Sequence, residues 1–117
     1  MTTRLTIRFD FDNDRRLGPG KIALLESIAG AGSISAAGRA HEMSYRRAWL
    51  LVEDLNKLFV EPLVVAHPGG AKGGGARLTP MGEKIVGVYR EAERKMREAA
   101  AQEVDAIEKA LAPVASV

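Results

Sequence analysis

Apolar and polar side chains alternate at the start of the chain. Leu5, Ile7, Phe9 and Phe11 fall on one side, and Thr6, Arg8 and Asp10 on the other. Successive side chains of a strand point to opposite faces, so 5–11 predicts a half-buried strand. Asp12-Asn13-Asp14 breaks it as a turn. The period then lengthens. Gly18-Pro19-Gly20 is a helix start, Ile22, Leu24, Leu25 and Ile28 give the apolar stripe of a first helix, and Gly30-Ala31-Gly32 ends it. Residues 33–42 predict a two-turn helix, with Ser33 or Ser35 accepting a bond from an orphan N–H at its start. Its Ala and Gly content leaves room for another helix to approach closely. Met43-Ser44 restarts the chain, and Ser44 caps a third helix. Ala48, Leu51, Val52, Leu55, Leu58 and Phe59 recur there at i, i+3, i+4 and i+7.

Leu63-Val64-Val65-Ala66-His67 reads as a second strand, 68–75 as a flexible glycine-rich loop, and Ala76-Arg77-Leu78 as a short returning strand. Thr79-Pro80 is a strong helix start. From there a helix is expected through Ala112, interrupted only by the early Gly82 and Gly87, until Pro113 ends it. Two helices joined by three or four residues form a helix-turn-helix, and a hairpin directly after the second makes it winged. The expected fold is therefore mainly α (α+β), a winged helix-turn-helix with an N-terminal strand, a glycine-rich wing and a long C-terminal dimerisation helix. The division is 1–78 for the winged domain, 79–112 for the long helix and 113–117 for a tail.

Composition narrows the function more than the fold. The chain has 117 residues, 46% of them apolar, which closes a core but leaves no room for separate cofactor and substrate domains. Without cysteine there is no disulfide, thiolate zinc site or cysteine nucleophile. No apolar run of about 18 residues exists and the start lacks a signal-peptide core, so a cytoplasmic domain is expected. The net charge of +2 decides little. Its distribution is more informative: 39–77 carry six basic and four acidic groups, while 78–117 carry six and seven. His41 and His67 lie in different elements with no carboxylate cluster beside them, and Asp10, Asp12 and Asp14 lack the Gly and Glu of a calcium loop. No enzymatic activity, metal or cofactor is expected. The glycines of the loop are no phosphate cradle either, because Lys72 is followed by three glycines instead of Ser or Thr and a helix.

The start of the third helix points to DNA. On a helical wheel the stripe of the third helix centres on Leu55, with Arg46, Leu50, Glu53 and Lys57 opposite and Tyr45 and Arg47 on the flanks. The N-terminal turn of a recognition helix meets the base edges first, and arginine offers guanine two donors. Ser33, Ser35 and Ser44 suit phosphates at helix starts. Tyr45 can reach a phosphate or cap a neighbour, and Trp49, at the edge of the stripe, is read as core. At the wing, Gly73 and Gly74 let the backbone approach a sugar-phosphate chain, and Lys72 and Arg77 add charge. The last helix carries a stripe through Ile85, Tyr89, Ala92, Met96, Val104 and Ile107, with Glu91/Lys95, Glu93/Arg97 and Asp105/Lys109 as bracing pairs. A stripe longer than the core implies a homodimer, and two recognition helices at fixed spacing imply a palindromic site. The reading is a transcription regulator that binds double-stranded DNA. The alternative is a winged-helix module that binds a protein partner, with weak or no DNA binding.

Four segments carry a family resemblance: Gly32-Ser33-Ile34-Ser35-Ala36-Ala37-Gly38-Arg39-Ala40, Met43-Ser44-Tyr45-Arg46-Arg47-Ala48-Trp49, Gly69-Gly70-Ala71-Lys72-Gly73-Gly74-Gly75-Ala76 and Leu78-Thr79-Pro80-Met81-Gly82. Together they resemble the N-terminal domain of the molybdate-dependent (ModE-type) transcription regulators over about residues 18–90. They are also similar, more loosely, to the winged helix of LysR-type regulators. The resemblance implies a dimeric, bacterial, winged helix-turn-helix DNA binder. Two-domain members of that family sense molybdate through C-terminal oxyanion-binding domains. No counterpart is legible in these residues, so the resemblance does not extend to molybdate sensing.

Overall fold

The computed structural model describes residues 3–70 and 73–114. Its elements are β1 (Phe9–Asp10), β2 (Arg16–Leu17), α1 (Pro19–Ala31), α2 (Ile34–Ala40), α3 (Tyr45–Leu58), β3 (Val64–Gly70), β4 (Gly73–Leu78), α4 (Pro80–Ala99) and α5 (Ala101–Ala110). This is a mainly α winged-helix architecture with two small antiparallel sheets.

The N-terminal alternation holds in burial only as far as Asp10, since Phe11 is 39% exposed, and hardly in pairing. Leu5, Ile7 and Phe9 are half-buried while Thr6, Arg8 and Asp10 are exposed. Only Phe9 and Asp10 join a ladder, opposite Leu17 and Arg16. The return strand has no more to offer, because Gly18 already N-caps α1 and Pro19 begins it. The turn between the strands has Asn13 and Asp14 at φ 57° and 59°, a left-handed conformation that short polar side chains tolerate.

Three helices and the base of the wing enclose the core. Ile22, Leu24, Leu25 and Ile28 of α1, Leu55 of α3 and Leu63 are fully buried, each stabilising the fold by about 1.5–3 kcal/mol. Ile34 and Ala37 of α2, Ala48 and Val52 of α3, and Val64, Ala76 and Tyr89 complete the cluster. Gly32 ends α1 at φ 71°, with its N–H on the Ile28 carbonyl. Small residues bring α2 against α3: a Cβ on Gly38 would stand 3.0 Å from that of Ala48.

Two departures from the sequence reading concern the wing and the last helix. The glycines of 69–75, expected as loop, belong largely to the ladder, which continues from Val64↔Leu78 to Gly70↔Gly73 with an irregularity between His67 and Gly70. A ladder needs only backbone donors and acceptors, which glycine has in full, and the irregularity accommodates Pro68, which has no N–H. The expected single helix to Ala112 is two helices that meet at Ala100, where φ is −100° and ψ 12°. No glycine or proline stands there. After Glu93 every residue of α4 is exposed, so no packing holds the axis straight. Beyond the bend, α5 comes alongside the N-terminal segment, where the Thr3 hydroxyl donates to Glu108.

The bracing pairs also differ. Asp105–Lys109 forms at 2.9 Å, but Glu91 pairs with Arg94 and Glu93 with Arg90. Arg94 takes the carboxylate expected for Lys95, and Arg90 the one expected for Arg97. Arg90 reaches further, donating from Nε and Nη2 to Glu26 of α1 at 3.0 and 2.6 Å and from Nη1 to Glu93 at 2.7 Å. That hydrogen bonding holds the Glu26 carboxyl below its usual range. No helix among the described residues is long and apolar enough to cross a membrane.

Candidate nucleic-acid interface

The start of α3 is built by the chain on either side of it. The Ser44 hydroxyl accepts from the Arg47 N–H at 3.1 Å, as Ser33 does from Ala36 in α2. Between the two helices lie only residues 41–44, with Glu42 at φ 55°. The turn is fixed by Met43 N–H to Gly38 O at 3.0 Å and by a 2.7 Å bond between Ser27 of α1 and His41 Nε2. Ser35 does not cap a helix; its hydroxyl accepts from Arg39 Nη1 at 2.9 Å.

Tyr45, Arg46 and Arg47 project from this first turn and are all exposed, Tyr45 to 60%. The Tyr45 ring meets Trp49 edge to face with centroids 6.0 Å apart. Trp49 packs against the core, as its place on the stripe edge implied, and its Nε1 is buried without a partner among the described residues. Leu50, one turn along from Arg46, is 48% exposed.

The wing is anchored beside the same helix. Asn56 reaches from α3 to β3: its Oδ1 accepts from Leu63 N–H at 2.9 Å and Val64 N–H at 3.0 Å, and its Nδ2 donates to Val64 O at 3.1 Å. From the other side, Ala76 N–H of β4 donates to Gly32 O at 2.8 Å, at the corner between α1 and α2. Exposed Arg77 stands on β4 opposite Val65. Gly73 and Gly74 lie in β4, whereas Lys72 lies outside the described residues. The wing is thus tied to α3 by the Asn56 side chain and to the α1–α2 corner by a backbone bond.

Pairing separates the arginines into two groups. Arg8, Arg15 and Arg16 of the N-terminal hairpin, and Arg90 and Arg94 of α4, have carboxylates within 4 Å. Among the described residues Arg39, Arg46, Arg47 and Arg77 have none, and all four belong to α2, the start of α3 or the wing. Arg4 and Arg97 share that freedom but lie outside these elements. The nearby acids of α3, Glu53 and Asp54, sit about two turns past Arg46, toward its far end. Cations without internal partners remain available to an external anion, although the exposed Glu42 stands in the turn just before Arg46. Among the described residues no cluster of three metal-binding side chains occurs.

Two residues of this arrangement escaped the sequence reading. Arg39 lies in α2 one turn after Ser35 and was visible only as part of a small-residue helix. Asn56 lies on the same flank of the wheel as Trp49, and a polar residue beside an apolar stripe is the signal that could have found it. Of the residues expected at a dimer interface, Tyr89 is 2% exposed within its own chain, in edge contact with Phe9 and with its hydroxyl donating to Ile7 O. Met96 and Ile107 are exposed at 42% and 66%, and Ile85, Ala92 and Val104 are half-buried.

No family model matches the chain. Curated proteins do. The chain is 50% identical over 74 residues to the molybdenum-pterin-binding protein MopB of Rhodobacter capsulatus, covering 63% of this chain and 27% of that protein. It is 42% identical over 90 residues to the molybdenum transport protein ModE of Azotobacter vinelandii, covering 75% and 33%. With the DNA-binding transcriptional dual regulator ModE of Escherichia coli strain K12 it shares 39% identity over 71 residues, or 61% and 27%. The chain spans about a quarter to a third of the length of these relatives.

Proposed function

We propose that this chain, homologous over 61–75% of its length to the ModE and Mop proteins, is a DNA-binding transcription regulator that acts as a homodimer on a palindromic operator. One observation supports it above the others: the unpaired arginines gather on α2, the start of α3 and the wing, while those elsewhere on the sheet and helices are mostly neutralised. In this reading α3 enters the major groove by its N-terminal turn. Arg46 reads a guanine edge through O6 and N7, and Arg47 and Tyr45 hold the flanking phosphates. Ser33 and Ser44, with the N–H groups at their helix starts, and Ser35 within α2 add phosphate contacts, as do Gly73, Gly74, Lys72 and Arg77 from the wing.

The dimer reading rests on an uncovered apolar face. Phe9, Phe11, Leu17, Ile85, Val88 and Ala92 line an open cavity of about 150 Å³, and Val88, Met96, Ile107 and Leu111 are exposed large apolar side chains. Association through this face gives two recognition helices related by a two-fold axis. Some relatives are named for molybdenum transport or molybdenum-pterin binding, so an operator near genes of molybdenum supply fits this reading; molybdate sensing by these residues is not part of it.

Selection of bound sites from random DNA, with and without molybdate, tests the reading. Recovery of a two-fold symmetric sequence, with affinity that falls steeply as salt rises, supports it. Binding that is indifferent to both sequence and salt overturns it and leaves the module for a protein partner.

A further inference from the structure

We propose that Leu50 determines specificity by packing against the 5-methyl group of a thymine next to the guanine read by Arg46. This rests on the DNA-binding reading above and adds a base contact to it.

Leu50 is anomalous for its position. It lies on the face of α3 turned away from the core, at i+4 from Arg46 and i+3 from Arg47, so both arginines are its neighbours on the helix surface. Residues further out on that face, Glu53 and Lys57, are charged. Leu50 is nevertheless a large aliphatic side chain with 48% of its surface in water. Neither neighbouring guanidinium is occupied by a carboxylate among the described residues, and each is free to engage nucleic acid. Once they do, Leu50 loses water and faces the groove floor between them.

The major groove offers one apolar group for such a side chain, the thymine C5-methyl. Leucine has no donor or acceptor with which to read any other edge. Four residues along a helix advance about 6 Å, and base pairs stack about 3.4 Å apart along a strand. The thymine therefore lies within about two steps of the guanine. Burying one methyl against aliphatic surface is worth about 0.8 kcal/mol, a fourfold change in affinity. That is smaller than the five- to 150-fold effect of a bidentate arginine contact. Leu50 thus refines a site that arginine selects.

The test uses the full chain and a duplex carrying the sequence recovered by selection from random DNA. Each thymine is replaced singly by deoxyuridine, which removes the methyl and keeps the pairing edge. At one thymine per half-site, close to the guanine sensed by Arg46→Ala, the replacement should weaken wild-type binding about fourfold. The same replacement should leave Leu50→Ala unchanged, and Arg46→Ala should keep the fourfold loss. Unaltered thermal unfolding of Leu50→Ala shows that the loss is one of recognition. Equal sensitivity of wild type and Leu50→Ala at every thymine, or no sensitivity in wild type, overturns the role of Leu50 and leaves the regulator reading standing. Failure to recover any sequence overturns both.

Discussion

Gly82 shows how much one missing side chain can decide. A Cβ there would stand 2.2 Å from the Leu63 carbonyl oxygen, because Thr79 draws α4 onto the end of the α3–β3 connection. Thr79 N–H donates to Leu63 O at 2.9 Å, and its hydroxyl, which also accepts from Gly82 N–H, donates to Pro62 O at 2.7 Å. Gly82→Ala should therefore destabilise the fold by about 1–3 kcal/mol through overpacking. Gly87, in the same helix, has open space around its Cβ position, and Gly87→Ala should stabilise by about 0.4–1 kcal/mol. Thermal unfolding of the two variants should shift in opposite directions; a common direction would contradict the close approach. Both glycines read alike in the sequence, as helix interruptions, because what separates them is a backbone atom some twenty residues away.

Glu26 gives a pH dependence at the same scale. Its carboxyl is held low, first by hydrogen bonding to Arg90, with burial opposing. A carboxylate depressed in the folded state contributes stability above its unfolded pKa of about 4.3 and loses it as pH falls through the folded value. The pair is two-fifths exposed on each side, so the contribution is about 0.2–1 kcal/mol. Glu26→Gln should melt below wild type at pH 7, and the gap should close between about pH 5 and pH 3. A gap independent of pH would assign the loss to packing instead.

At the scale of elements, α3 and the wing work as one unit only while Asn56 joins them. Asn56→Ala removes three bonds and leaves the Leu63 and Val64 N–H groups unpaired at a buried strand start, a loss of about 1–3 kcal/mol. Its effect on DNA affinity should exceed what unfolding explains, since the wing loses its tie to α3. Arg46→Ala should cost about 1–3 kcal/mol at the selected site and relax discrimination there, whereas Lys72→Ala should weaken all sequences alike and lower the salt slope by about one. Competition binding with selected and scrambled duplexes separates these two outcomes. The helix pair was legible because Ser33, Ser44 and the Leu55 stripe signal locally. The hairpin was legible in Leu63–His67 and Ala76–Leu78, but the extension of its ladder into the glycines and the bend at Ala100 were not. Glycine carries no pattern to mark a strand, and a bend where packing ends is written in no residue type.

For the whole molecule, the uncovered stripe sets the prediction. Light scattering at micromolar concentration should give twice the chain mass of 12.6 kDa. Val88→Glu with Met96→Glu should halve that mass without lowering helix content, since both side chains are exposed in the protomer. A monomeric wild type would remove the dimer and, with it, the palindromic operator. Tyr89, counted in the same stripe from the sequence, belongs instead to the protomer's own core beneath the N-terminal strand. A helical period shows which side of α4 is apolar, and only packing shows what covers each position.

By itself the sequence determined the helix pair and the hairpin after it, the caps at Ser44 and Thr79, the core stripes and the four segments that tie the chain to its relatives. Each of these depends on residues within about two helical turns of one another. Tertiary structure decided which arginines are neutralised, which glycines are required, how far the wing ladder extends and which apolar side chains remain uncovered. Those outcomes depend on what lies opposite in space, and periodicity carries no record of the opposite side.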